Sequence, residues 1–466
     1  MAIEEDLSEW EIASNFKMVA YGFGFLTVNA LLMLSNLFYF YEVEAGLPVL
    51  YVMIAMVLFA IWNMINDPIL GYITDRPYKW TKKYGLRAPW VKISAYPLLI
   101  FFFLIYIPPL GEGAIILFAW FLITTCMFDT FLSIYNEHVY AGYTNQFPSE
   151  YERRRAFAIA TLIMGGITTS LTIIRLFIIE WGRPETFALS ALVTVSILGV
   201  LNIFLFLGVK ESEEMKQMFI SSYGIKPAEE KKFFSVMKSS LKTKNFRVSL
   251  LGYTISVTAM QGLWNASQLF MLKDVYGVDP SAAIIPAIVG IIVFLGSIPF
   301  WYNYSRKHGF KKTYYICFIL HGIAFLPFLI TQNIIHHTIC IFFLMFIYSG
   351  EVLMLMPVAS DTFDEVSSKL GMRVDAMLQG IRNFFFRVAF IVVAVVIGLV
   401  HILTFYDPNP AATQTPEAIW GIRVHTALIP AIIYIVMGLI FKKWYTLEGA
   451  EKEALVRLLK EKGIYR

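Results

Sequence analysis

A few charged side chains lie deep inside long apolar stretches of this chain, and they are the residues best placed to do chemistry. Asp67 sits in the run Asn63-Met-Ile-Asn66-Asp67-Pro68. Asp129 is followed by Ser133, Asn136, Glu137 and Tyr140 on nearly the same helical face. Glu351, Arg382 and Arg387 occupy two later apolar runs. A carboxylate in a low-dielectric cavity favours binding a proton or Na⁺, because either relieves its desolvation. An arginine elsewhere in the chain could pair with it when that site is empty. The competing reading is a static ion pair that only holds helices together.

A second set is neutral. Gln261, Trp264, Asn265 and Gln268 cluster on one face of a single helix. An aromatic ring with amides suits a polyhydroxylated ligand, and the same set also serves as glue between helices. No nucleophile paired with a base is visible, which argues against an enzyme. The seven histidines and the three cysteines (Cys126, Cys317, Cys340) show no metal-ligand spacing. Arg175, near the outer end of its apolar run, is expected to snorkel.

The elements that position these residues follow from composition. Of 466 residues, 58% are hydrophobic and 15% charged, where a soluble protein carries about 25% charged. Mean hydropathy is +0.63. A span needs about 20 apolar residues, and such runs fall near 14–41, 47–74, 90–109, 113–144, 155–180, 185–209, 247–276, 280–303, 313–332, 337–365, 372–404 and 421–444. In lipid the backbone must satisfy itself, so these are helices. The spacing therefore predicts an all-α integral membrane protein of twelve transmembrane helices in two six-helix halves. The expected organisation is a bundle over 1–209, a linker over 210–246, a second bundle over 247–444 and a tail over 445–466.

Basic residues concentrate in alternate loops: Arg76, Lys79, Lys82, Lys83 and Arg87, then Arg153, Arg154 and Arg155, then Arg306, Lys307, Lys311 and Lys312. That bias puts those loops and both termini on the cytoplasmic side of a plasma membrane. The start, Met1 to Glu11, is acidic and does not read as a cleavable signal. In the linker, Phe234, Met237 and Leu241 share one face and Lys231, Lys238 and Lys242 another, as in a helix lying on a membrane surface. The tail stripe Leu447, Ala454, Leu455 and Leu458 is similar. Expected partners are a small-molecule solute and membrane lipid, without nucleic acid, for a monomer with no cofactor.

Several motifs are longer. The first helix reads Lys17-x-x-Tyr21-Gly22-Phe23-Gly24, and the second Ile61-Trp62-Asn63-x-x-Asn66-Asp67-Pro68-x-x-Gly71. Asp75-Arg76 and Gly85-Leu-Arg87-Ala-Pro89-Trp90 follow, then Phe147-Pro148-Ser-Glu150-Tyr-Glu152-Arg153-Arg154-Arg155. Late in the chain come Asp361-x-x-Asp364, Lys369, Arg373, Asp375 and Arg387. With these the chain resembles the glycoside–pentoside–hexuronide:cation symporters of the major facilitator superfamily, over nearly its whole length.

The resemblance implies the major facilitator fold and secondary active transport by alternating access. The cargo would be a small organic solute, a sugar or glycoside, moved with H⁺ or Na⁺; a lysolipid-like cargo or uncoupled transport is the alternative. It implies a cation site, with Na⁺ as the only metal, at Asp67 with Asn63, Asn66, Asp129 and Asn136, and Arg387 as counter-charge. Asn29, Tyr135, Asn136, Tyr140, Trp264, Gln268 and Glu351 would meet the solute. Asp75, Arg76, Arg87, Arg153 and Arg373 would gate the conformational change. The chain departs from the family where a second helix-two carboxylate is replaced by Asn63. Family sugar-contacting residues likewise fall at Asn29 and Thr161, and a lysine position holds Arg387.

Overall fold

The computed structural model describes residues 13–32, 36–74, 78–147, 150–222, 233–371 and 374–462. Described residues are helical or in loops, with no strand among them. The long helices are α1 (Asn15–Leu31), α2 (Val49–Thr74), α3 (Ala88–Ile105), α4 (Ala114–Gln146), α5 (Glu150–Ile178) and α6 (Pro184–Gly208). The second set is α7 (244–275), α8 (284–308), α9 (310–325), α10 (Ile334–Leu370), α11 (Asp375–Leu403) and α12 (416–444). Among the described residues, nine stretches are long and apolar enough to cross a membrane. One of them, Pro280–Leu329, contains both α8 and α9, which meet where Gly309 adopts φ +80°. α1 and α7 complete the twelve.

Local chemistry fixes the ends. Ser14 Oγ accepts from Lys17 N–H at 3.2 Å and opens α1. Asn333 Oδ1 accepts from the N–H groups of Ile335 and His336 at 3.1 and 3.0 Å and opens α10. Thr415 caps α12, with Pro416 in its first turn. Three of the polypeptide's helical paths contain π turns: Phe40–Glu44 beyond α1, Val257–Trp264 and Met271–Val275 in α7, and Val424–Leu428 in α12. Such widened turns re-aim the side chains on either side of them.

The chain forms two compact units, residues 1–34 with 61–227 and residues 35–60 with 228–466. One boundary falls within α2, between residues 60 and 61, and another between residues 227 and 228, inside the 210–246 stretch. In the first unit α1 packs on α4, α5 and α6, and α3 on α4 and α6. Its centre is aromatic: Phe25 meets Tyr140 edge-on at 4.8 Å, and Tyr21 meets Phe147 at 5.5 Å. In the second unit α9 and α12 come close enough that a Cβ on Gly322 would lie 2.7 Å from Ala431 O. Small residues at such crossings let backbones approach and gain dispersion contacts. Leu162, Phe177 and Ile292 are 77%, 70% and 64% exposed, a surface suited to hydrocarbon rather than water.

Two sequence expectations change. Among the described side chains of the linker helix, Phe233–Ser240, and just beyond it, Val236 is buried, and Met237 and Leu241 pack against a cluster that includes Phe246, Leu378 and Ile381; the side chain of Phe234 lies outside those described. Met237 and Leu241 of the expected stripe are thus met by residues of α7 and α11 within the second unit rather than left for a membrane surface. Arg175 does not snorkel. It is 7% exposed and donates from Nε to Ser190 Oγ at 3.2 Å, so α6 supplies the partner that water would otherwise provide.

Gly322→Leu should cost about 1–3 kcal/mol through overpacking, seen as a lower melting temperature in detergent. Gly296→Leu, which meets open space, should leave it nearly unchanged. Equal losses in the two variants would contradict the close α9–α12 crossing.

Candidate functional site

On α2, Asn63, Asn66 and Asp67 are three and four residues apart and so share a face. On α4, Asp129 and Ser133 are four apart and share another. The structure brings these faces together. Asn63 Nδ2 donates to Asp129 Oδ1 in a very short contact. Asn66 Nδ2 donates to Asp129 Oδ2 at 3.3 Å. Ser133 Oγ donates to Asp67 Oδ1 at 2.5 Å. One turn away, Trp62 Nε1 donates to Thr130 Oγ1 at 3.3 Å.

Asp129 is 2% exposed, and both of its oxygens face amides. The two amides on Asp129 are neutral, so they solvate its carboxylate without cancelling its charge. Each asparagine carries its amide oxygen on the same rotor as its nitrogen. Turning Asn63 or Asn66 by half a turn would therefore offer a carbonyl oxygen beside two carboxylates and a hydroxyl. Oxygen sets of this kind suit a hard cation. Among the described residues, no group of three His, Cys, Asp or Glu side chains could hold a metal ion. A cation here would depend on neutral oxygens.

The remaining expected residues separate. Asn136 is half-buried on α4, one turn from the cluster's Ser133. Tyr140 is half exposed and its ring packs edge-on against Phe25. Asn29 is exposed, and Thr168 on α5 donates to its Oδ1 at 3.3 Å. Gln268 donates to Trp264 O at 3.1 Å.

Three positions differ from the expected solute lining. Tyr135 is fully buried and donates to Asn202 Oδ1 at 2.6 Å, while Asn202 Nδ2 reaches Thr27 at 3.1 Å. It ties α4 to α6 and α1. Trp264 is 4% exposed, stacked on His337 at 5.7 Å and edge-on to Phe328 at 4.7 Å, as a core residue. Glu351 is 1% exposed, 2.6 Å from His321 Nδ1, and accepts from Tyr434 at 3.3 Å. Its charge is answered inside the helix bundle by α9 and α12. Arg387, on α11 of the second unit, donates to Asn383 O at 3.1 Å.

The comparisons with known proteins bear on this arrangement. A sequence profile for the family described as MFS/sugar transport protein matches residues 20–448. The chain belongs to that family. Its members are transporters, which sets a solute as the partner and lipid as the surroundings.

Two zebrafish (Danio rerio) proteins, sodium-dependent lysophosphatidylcholine symporters 1-A and 1-B, are 31% and 29% identical over 100 residues. That match covers 21% of this chain and 18% of each relative's length. Among solved structures, the nucleoside transporter NupG superposes with a TM-score of 0.60 at 16% identity, covering 93% of this chain and 100% of that one. The E. coli xylose transporter XylE, inward open, gives 0.59 at 13%, covering 95% and 98%. A bacterial homologue of the human lysosomal transporter Spinster gives 0.61 at 12%, covering 92% and 98%. At these identities the likeness establishes the major facilitator fold.

Among the expected gating residues of this family member, Asp75, Arg76 and Arg373 lie outside the described residues, as does the side chain of Arg153. Arg87 is described, and a residue that sequence reasoning missed organises it. Glu211, just past α6, accepts from Leu86 N–H and Arg87 N–H, each at 2.6 Å, and from Ala88 N–H at 3.2 Å. Its carboxylate thus sits on the open amides at the start of α3, where the helix dipole also favours negative charge. Burial raises its pKa above the usual carboxylate value, and those amides oppose the shift only in part. Gly85, at φ +94°, makes room for it: a Cβ there would fall 1.9 Å from Glu211 Oε2. The side chain of Arg87 turns to His138 Nδ1 at 3.3 Å. The Gly85-Leu-Arg87-Ala run was visible as a motif, but its partner lies more than a hundred residues further along the chain.

Gly85→Ala and Glu211→Gln should each destabilise the first unit by about 2 kcal/mol, the scale of hydrogen bonds to a charged group. The double variant should lose less than the sum of the two. Melting temperatures of the four proteins in detergent measure this, and full additivity would contradict the contact.

Proposed function

We propose that the protein is a secondary transporter that moves a small organic solute, of the sugar or glycoside kind, together with Na⁺ or H⁺. The observation that carries this reading is the buried carboxylate of Asp129 with the half-buried Asp67 beside it, held by amides and a hydroxyl where α2 meets α4. A cation entering there would neutralise charge that the two amides on Asp129 leave standing. Asp67 would take the ion, with Asp129, Asn63, Asn66 and Ser133 as its oxygen donors and Asn136 near by. Arg387 is the proposed counter-charge. Asn29, Tyr140, Asn136 and Gln268 are the proposed solute contacts. In this reading the protein works as a monomer in the cell membrane with both termini inside.

A second reading changes only the cargo. The zebrafish relatives are described as sodium-dependent lysophosphatidylcholine symporters, which favours a lysolipid as the solute and Na⁺ as the ion. The ion site is common to both readings.

Uptake into proteoliposomes separates them. Radiolabelled glycosides and lysophosphatidylcholine would be offered with and without an inward Na⁺ gradient, and with and without a proton gradient. Asp67→Asn should remove the stimulation by ion and slow gradient-driven uptake by at least about tenfold, the effect of one lost ionic interaction of roughly 1.4 kcal/mol. Wild-type uptake that ignores both gradients would overturn coupling at Asp67, and the solute that is carried decides between the cargoes.

A further inference from the structure

The first unit carries a groove that the ion site does not use. α3 and α6 are each long and apolar enough to cross a membrane, and they leave a groove of about 380 Å³ between them. Tyr96, Ile100 and Phe103 of α3 line one wall, and Ser196, Gly199 and Ile203 of α6 line the other. Ile100 and Ile203 are 55% and 54% exposed, so the groove is open at the surface. Its lining offers water little, because Ser196 Oγ donates to Leu192 O within its own helix at 2.7 Å. Gly199 leaves the floor without a side chain.

One end of this groove is basic. On α3, Lys92 precedes Tyr96, Ile100 and Phe103 at the three-and-four spacing of one helical ridge. On α6, Ile203 leads to Phe206, and Lys210 follows two residues past the helix end. Rings join the two sides: Tyr96 meets Phe206 edge-on at 5.8 Å, and Lys92 Nζ lies 6.0 Å from the Phe206 ring. Lys92 and Lys210 are exposed, and neither pairs with a carboxylate among the described residues. Two of the carboxylates at this end are already engaged. Glu211 sits on the amides of residues 86–88, and Glu213 pairs with Lys216 at 2.7 Å; Glu214 is exposed. The far end, residues 106–113 and 179–185, has no lysine, and its Arg183 is held by Glu180 and Glu185 at 2.7 and 2.8 Å.

In a bilayer such a groove fills with hydrocarbon. Water there would lack hydrogen-bond partners, and empty space would forfeit dispersion contacts. From Tyr96 to Phe103 the helix advances about 10 Å, which is room for a stretch of acyl chain. A lysine one turn before Tyr96 reaches the headgroup level by snorkelling, and a tyrosine suits the boundary between the two zones. Lysines at that level attract anionic headgroups. A long apolar groove with positive charge at one end therefore has the polarity of an anionic lipid.

We propose that the groove between α3 and α6 is a binding site for one anionic phospholipid. An acyl chain lies along Tyr96, Ile100 and Gly199, and the phosphate-bearing headgroup meets Lys92 and Lys210. The site is built on other helices than the Asp67 site, and it needs neither solute nor coupling ion.

Native mass spectrometry of the full-length protein tests this, after release from micelles holding equal phosphatidylglycerol and phosphatidylcholine with the same acyl chains. Wild type should retain its first phosphatidylglycerol over phosphatidylcholine by at least about fivefold, the attraction of one lysine near the headgroups. Lys92→Gln combined with Lys210→Gln should bring that ratio close to one. Lys307→Gln combined with Lys312→Gln removes two exposed lysines from the second unit and should leave the ratio unchanged. Gly199→Phe, where a Cβ would meet nothing closer than 3.7 Å, should fill the groove and lower phosphatidylglycerol retention at least about fivefold. Equal retention of the two lipids by wild type overturns the proposal. So does a preference that survives the Lys92 and Lys210 changes, or one lost equally with Lys307 and Lys312. Unchanged retention in Gly199→Phe overturns it as well. A dimer that Gly199→Phe dissociates, without lipid preference, would assign the face to a second copy of the chain instead. Because no gradient or solute is present, the result stands apart from the uptake assay.

Discussion

Inside hydrocarbon no water is present to stabilise an ion, so each intramembrane carboxylate must find its partners within the chain. That requirement organises the interior. Asp129 and Asp67 bind α2 to α4 through Asn63, Asn66 and Ser133. Glu351 joins α10 to α9 and α12 through His321 and Tyr434. Glu42 joins the segment after α1 to α11 through His401. Apolar packing fills the space between these contacts, and they select which helix faces meet.

The partners differ in kind between the two units. In the first, Asp129 faces two amides, which stabilise charge without removing it. In the second, Glu42 and Glu351 each face an imidazole, which brings an exchangeable proton of its own. The same residue type is therefore surrounded by neutral amides in one place and by imidazoles in the other. Family membership supplies the transport framework, and the neighbours of each carboxylate decide what it can hold.

Much of the fold was legible because hydropathy and helical spacing are local properties. Apolar runs marked the helices, and the three-and-four spacing of Asn63, Asn66 and Asp67 placed them on one face. The spacing of Asp129 and Ser133 did the same on α4. Which neighbour each face meets is not local. Tyr135 lies on α4 close to the carboxylate face, yet it turns towards α6 and is absorbed in packing. Trp264 looked like a ring for stacking on a solute, and the phase of α7 buries it. Glu211 gives no signal beside the amides that it caps, because the contact closes only when α6 returns to α3. The histidines, scattered in sequence, acquire partners only through tertiary folding, and the π turns that orient several of these groups leave no periodic trace.

The π turn Val424–Leu428 gives α12 an unusual mechanical property. His425 lies inside it and meets His401, the partner of Glu42, whereas Tyr434 lies two turns beyond and reaches Glu351. A widened turn holds an extra residue, and each residue of an α-helix advances the phase by about 100°. Removing one residue there would restore regular winding and rotate everything beyond it by about that angle. Either Tyr434 or His425 would then leave its partner. The turn acts as a phase coupler between two buried networks, so α12 tolerates substitution along its lipid face far better than any change in its length.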